Sequence, residues 1–339
     1  MKAISIARNR AGLHSGAMRA RIVEGTQGVA LALAQLRAGA VVGMPTETVY
    51  GLAADATNLE ALAKIFEAKG RPATNPLILH VLDSEMAARF AKHWDERAQR
   101  LARAFWPGPL TLVVQRAETV LDRVTAGGET VALRAPKHPD ARSLIAGLGR
   151  PVAAPSANRS TGISPTTAAA VLEELGDRID LVLDGGACEV GLESTVLDLT
   201  EEPALILRPG HITAAELEAV LGTPVRLRPQ GEQTEAIARS PGQMRRHYAP
   251  KTPLRITEAA LVSSSEVSDC VFLVHSAELP RAARAMRMPT NPADYARDLY
   301  AALRWADGQE ARELVVEAPP TSIEWAAVWD RLRRASSRD

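Results

Sequence analysis

The chain has 339 residues, more than one hydrophobic core usually organises, so a large domain with a smaller companion is expected. Lys plus Arg and Asp plus Glu number 40 each, so no net field draws the molecule to nucleic acid or an anionic membrane, and 46% hydrophobic with 24% charged residues excludes a disordered chain. Cys188 and Cys270 form no C-x-x-C pair, which argues against a zinc knuckle or disulfide scaffold and fits a cytoplasmic protein, and no apolar run nears the roughly 20 residues that span a bilayer.

Residues 1–19 carry Lys2, Arg8, Arg10 and Arg19 without an apolar h-region and read as an N-terminal extension, with Met18 an alternative start. From 20 to 222, short β-branched runs alternate with amphipathic stretches, the pattern of an α/β domain. Strands are expected at 40–44, 76–82, 110–115, 130–135, 151–154, 181–183, 194–199 and 205–207, and helices at 28–38, 58–68, 84–104, 165–175 and 213–221. Several strands follow one another without a helix, so the sheet should be mixed. Residues 223–252 lose apolar periodicity and read as a linker. Beyond it, 253–339 form a second α/β unit, with strands at 271–275 and 314–317 and helices at 292–307 and 322–335. Trp325 and Trp329, four apart on one helix face, read as core rather than a stacking platform.

Neither G-x-x-x-x-G-K-[ST] nor G-x-G-x-x-G occurs, which disfavours a P-loop or dinucleotide fold, and H-E-x-x-H and G-x-S-x-G are missing too. What remains is a series of polar strings at strand ends, where ligands of open α/β sheets gather. Pro45-Thr46-Glu47-Thr48-Val49-Tyr50-Gly51 is either a Pro/Gly turn or a set of hydroxyls that orients a polar substrate. In the string from Lys69 to His80, Lys69, Gly70 and Pro72 suit a helix end, but Arg71, Asn75 and His80 have no such structural excuse. Two cations there would neutralise a triphosphate, whereas His80 in an apolar strand also reads as a core histidine. Pro155-Ser156-Ala157-Asn158 offers a hydroxyl and an amide for phosphate or ribose, or simply a turn and cap. The linker string Ser240-Pro241-Gly242-Gln243-Met244-Arg245-Arg246-His247-Tyr248-Ala249-Pro250 exceeds what a spacer needs, so it is expected to fold back over a site.

Together PTETVYG, KGRPATNPLILH, WPGPLT, ALRAPKHP, APSAN, LESTV, LRPG and SPGQMRRHYAP resemble, in order, the YrdC family of threonylcarbamoyl-AMP synthases in its long form with a C-terminal domain. The resemblance covers about residues 20–252, with the rest similar to the appended domain. It implies a twisted mixed-sheet α/β domain with a large concave cleft, a smaller Rossmann-like C-terminal domain, and ATP beside L-threonine with Mg²⁺ as metal. Carried onto matching positions, Thr48, His80, Arg134 and Ser194, with the backbone near Ala154, would surround threonine. Lys69, Arg71, Asn75, Thr130, Ser156, Asn158, Ser164 and Arg208 would surround ATP, with Tyr248 closing over it. Lys69 and Arg71 would be catalytic through charge neutralisation. Bicarbonate as third substrate, and a downstream threonylcarbamoyl transferase complex acting on tRNA, follow from the same resemblance. Direct tRNA contact stays open. An RNA-binding module without adenylate synthesis is the rival reading, and a carbamoyl-transfer enzyme is disfavoured by the missing zinc-finger-like cysteines.

Overall fold

The computed structural model describes residues 20–229, 246–262, 269–278 and 284–337. The N-terminal extension at 1–19 and linker residues 230–245, including the start of the linker string, lie outside the described residues. Eleven strands build the main sheet: β1 (Arg21–Glu24), β2 (Val42–Met44), β3 (Gly51–Asp55), β4 (Ile78–His80), β5 (Leu110–Gln115), β6 (Thr130–Arg134), β7 (Val152–Ala153), β8 (Leu181–Asp184), β9 (Thr195–Asp198), β10 (Leu205–Arg208) and β11 (Arg226–Leu227). Their order is β1-β8-β2-β3-β7-β4-β6-β5-β9-β10-β11. β4 and β6 run parallel while β7 is antiparallel to both β3 and β4, so the sheet is mixed, as its helix-poor middle requires.

The expected elements recur with several differences. Gly51–Asp55 is a buried strand, antiparallel to β2, and Met44 faces Gly51, so the string at 45–50 is a hairpin loop. The expected helix 84–104 is two helices, Ser84–Ala88 and Glu96–Phe105. Between them Ala91 bridges to Arg116, and the Asp95 carboxylate accepts the Ala98 N–H (2.9 Å) to restart the helix. Strand β11 falls inside the span read as linker and pairs with β10.

The second sheet is all parallel: β12 (Leu254–Thr257), β13 (Cys270–Val274), β14 (Arg284–Arg287) and β15 (Glu313–Glu317), in the order β12-β15-β13-β14. Helices Pro292–Asp307 and Ala326–Ser336 cover it, and Trp325 is buried edge-on against Tyr295, 5.3 Å between ring centres. Trp329 is half-buried on the same core and donates to the Pro320 carbonyl (2.9 Å). At the end of β15 the Glu317 carboxylate accepts the backbone N–H groups of His275 (2.7 Å), Ser276 (3.0 Å) and Ala277 (3.1 Å). Glu317→Ala would strand these donors, so a loss of about 2–4 kcal/mol in urea unfolding is expected. Among the described residues no helix is long and apolar enough to cross a membrane.

Candidate active site

The central strands β3, β7, β4 and β6 carry the polar strings to one place. His80 and Arg134 stand opposite each other at the ends of parallel β4 and β6, and Ala154 follows β7, its N–H on the Ile78 carbonyl (3.2 Å). Gly51 bridges to Ser156, which draws the hairpin loop over the same end. Within that loop Thr46 Oγ accepts the N–H groups of Thr48 and Val49 (both 3.2 Å) and shares a 2.9 Å hydrogen bond with Thr48 Oγ. One cleft results, walled by Thr48, Arg71, His80, Arg134, Ser156 and Arg208 among others, and roofed by His247 and Tyr248 from the linker.

Helix Leu59–Lys69 starts on the Asn58 cap and ends at Gly70 with φ +60°, the left-handed turn that glycine takes without a Cβ penalty. The turn delivers Lys69, whose buried ammonium donates to the Ser156 and Asn158 carbonyls. Lys69 therefore stands behind the cleft wall and fastens the APSAN loop. Burial and the neighbouring Arg71 charge hold its pKa well below the usual lysine range. Arg71 grips the carbonyls of Asn75 (3.1 Å) and Pro76 (2.6 Å). Asn158 donates to the Arg159 and Gly162 carbonyls (both 2.8 Å) and leaves its buried Oδ1 without a partner.

At the β4–β6 end of the cleft, Arg134 donates to Glu47 Oε1 (2.7 Å), and Glu47 Oε2 accepts the Lys137 N–H (3.0 Å). Burial works against the Glu47 carboxylate, yet Arg134 and these hydrogen bonds hold its pKa below the usual value. Burial and the Arg134 charge press His80 down to about 3, so it is neutral at any working pH, and its Nδ1 is unpartnered. On the far side the register slips between Ile206 and Arg208 of β10, and the irregularity turns Arg208 onto Ser194. Arg208 donates to the Ser194 carbonyl (3.1 Å) and Oγ (3.2 Å), and Ser194 Oγ also bonds Thr111 Oγ (2.7 Å). Ser164 Oγ donates to Glu193 Oε1 (2.6 Å).

Thirteen of the fourteen residues singled out from sequence are placed in this wall or joined to its strings by these contacts. Thr130 stands apart, half-buried at the start of β6, the end away from Arg134. Glu47, Glu193 and His247 belong to the site and were quoted in the strings without a role. Their signal was a carboxylate or imidazole in a segment otherwise buried. Wholly unforeseen are Tyr300 and Arg331 of the C-terminal unit, which reach Glu193 (both 2.9 Å).

The linker holds Tyr248 at φ +61°, a costly conformation for a bulky residue, between the bonds of His247 N–H to the Arg334 carbonyl (3.3 Å) and Ala249 N–H to the Thr161 carbonyl (2.9 Å). With this strap in place the open volume of the cleft is only about 40 Å³. Small-molecule sites usually offer about 300–1,000 Å³, so the strap or another part of the lining has to move for a ligand of that size to enter.

A family model described as Telomere recombination matches residues 34–210, and one described as Threonylcarbamoyl-AMP synthase, C-terminal domain, matches residues 212–337. The chain is 39% identical over 321 residues to the threonylcarbamoyl-AMP synthase of Pyrococcus abyssi, covering 91% of this chain and 94% of that one. It is 47% identical over 234 residues to the Bacillus subtilis protein of the same name, covering 68% and 67%. The crystal structure of Pyrococcus abyssi Sua5 complexed with L-threonine superposes with a TM-score of 0.86 at 38% identity, over 93% of this chain and 96% of that one.

Proposed function

The chain belongs to the Sua5–YciO–YrdC family of threonylcarbamoyl-AMP synthases, and from that premise we propose how its cleft joins ATP, L-threonine and bicarbonate. The enzyme is a nucleotidyltransferase that makes L-threonylcarbamoyl-AMP, the first step of the threonylcarbamoyladenosine modification of tRNA. One observation carries the assignment of the cleft: four of its lining residues, His80 (Nδ1), Arg134 (Nε), His247 (Nδ1) and Tyr248 (OH), each hold a buried polar atom without a partner. Each such atom costs stability unless a ligand completes it.

In this reading the Arg134 guanidinium, already steadied by Glu47, takes the threonine carboxylate, and Thr48 or neutral His80 reads the hydroxyl. Ser194 and the backbone near Ala154 close that subsite. The amine of threonine adds to carbon dioxide released from bicarbonate and loses a proton, giving a carbamate. A carbamate oxygen then bonds to the α-phosphorus as the bond to the β-phosphate oxygen breaks, and pyrophosphate leaves. No protein nucleophile is required. Arg71, Arg208 and Lys69 balance the phosphate charge, while Ser156, Asn158, Asn75, Ser164 and Tyr248 hold the nucleotide in line.

Magnesium would enter on the triphosphate. Among the described residues no three metal-ligating side chains converge, and the two cleft carboxylates, Glu47 and Glu193, are already paired. That suits an ion that keeps waters and binds phosphate oxygens, where it would offset the charge of the departing pyrophosphate. The product goes to a separate transferase acting on tRNA in the cytoplasm.

The test is pyrophosphate release from ATP with magnesium and bicarbonate, with L-threonine, L-serine or neither. Threonine-dependent release, weaker with serine by about 10- to 100-fold, is expected from the lost methyl contact. Release that ignores the amino acid, or none, would refute the assignment.

A further inference from the structure

Arg331, on helix Ala326–Ser336 of the C-terminal unit, is fully buried although its charge lies at the boundary between the two units. Its Nε donates to Glu193 Oε2 (2.9 Å), one terminal nitrogen to the Pro209 carbonyl (2.8 Å) and the other to the Glu193 carbonyl (3.3 Å). Its guanidinium carbon lies 5.3 Å from the centre of the Tyr248 ring. Glu193 takes Ser164 on its other oxygen, and Pro209 directly follows Arg208. A single side chain of the other unit therefore touches Tyr248 directly, reaches Ser164 through Glu193 and holds the residue that follows Arg208, three groups assigned above to ATP.

A buried ion pair adds little net stability, and well-packed apolar residues would join the two units as well. What a planar fork adds is direction: it fixes where the Glu193 carboxylate points, and thereby where Ser164 Oγ stands. A second feature shows how closely the units meet at this loop. Gly191 has φ +75°, and a Cβ there would lie 2.2 Å from the Arg297 carbonyl oxygen and 2.4 Å from its Cα, both backbone atoms of helix Pro292–Asp307. The loop that carries Glu193 is shaped to receive that helix.

We infer that Arg331 is a positioning residue for adenylate formation: by holding Glu193, the Pro209 carbonyl and the Tyr248 ring together, it makes the seating of the C-terminal unit and the assembly of the ATP site one event. This rests on the reaction proposed above. The C-terminal unit is then part of the nucleotide site.

The test uses the full chain and threonine-dependent pyrophosphate release with ATP varied. Arg331→Met is expected to raise the KM for ATP about tenfold or more. Threonine affinity measured calorimetrically without ATP should change by less than the KM for ATP, because Ser194 alone of the threonine subsite adjoins Glu193 and the Arg208–Pro209 turn that Arg331 holds. Tyr248→Phe should raise the KM for ATP in the wild-type background and add little in the Arg331→Met background, a coupling that a merely structural role would not produce. Gly191→Ala, which changes no side chain assigned to a substrate, should reproduce the rise. If Arg331→Met gives no folded protein, Arg331→Lys, which keeps the charge and loses the fork, carries the same cycle. A KM for ATP within about threefold of wild type, or additive effects with Tyr248→Phe, overturns the inference. An inactive wild type overturns the reaction and the inference together, whereas an active wild type with unmoved variants overturns the inference alone.

Discussion

Arg134→Met is expected to raise the threonine requirement about 10- to 100-fold, the worth of a charge-assisted contact to a carboxylate, and to destabilise the fold as well. Glu47 is buried and loses its cation in this variant, and removing one member of a buried pair costs about 3–5 kcal/mol. The two effects separate in Glu47→Gln/Arg134→Met, where no charge is stranded. Its melting temperature should return towards wild type while the threonine requirement stays high. A single variant with an unchanged threonine requirement would remove Arg134 from the substrate site. Glu47 and Glu193 also set the acid limit. Their folded pKa values lie below the unfolded carboxylate value, Glu193 at about 2, so their stabilisation is present above the unfolded value and lost as pH falls through the folded ones. Stability followed by melting temperature should fall steeply below about pH 4.5, and less steeply in Glu47→Gln/Arg134→Met.

Lys69→Met should lower kcat/KM for ATP by about 10²- to 10³-fold, the usual cost of one preorganised donor at a charged centre. Its effect on stability should be small. The variant leaves the Ser156 and Asn158 carbonyls without the ammonium, at about 1–3 kcal/mol each, but it also removes a charge that folding takes out of water, the burial that holds the Lys69 pKa down. Activity lost with a near-normal melting temperature identifies Lys69 as a member of the ATP site. Activity retained would confine it to the loop it fastens.

The middle of the sheet was legible because β4 to β6 and β9 to β10 are short apolar runs with a polar string at one end, and buried strands read that way. Strand Gly51–Asp55 was not, since its Gly-Leu-Ala-Ala core is short, poor in β-branched residues and opens on the glycine that closed the preceding turn motif. Helix Pro139–Leu148 carried a signal that went unread: Pro139 at its first turn and Ala141, Leu144, Ile145 and Leu148 on one buried face. In the site, the residues that line the cleft lie in the ordered strings. What those strings cannot carry is pairing over long separations. The partner of Arg134 lies 87 residues before it, and that of Glu193 lies 138 residues after it, in a unit whose own sequence gives no hint of the cleft.

The tightness of the roofed cleft bears on the lifetime of what is made inside it. A carbamate reverts to amine and carbon dioxide once protonated by solvent, and a mixed carbamic–phosphoric anhydride is open to hydrolysis. If the Tyr248 strap seats over the bound reactants it keeps water from them, and both species then decay mainly during the intervals when the roof is raised. The wasteful loss of ATP per product is then set by how often the strap lifts early, so mutations that loosen it should appear first as poor coupling between pyrophosphate released and adenylate recovered, before any fall in turnover.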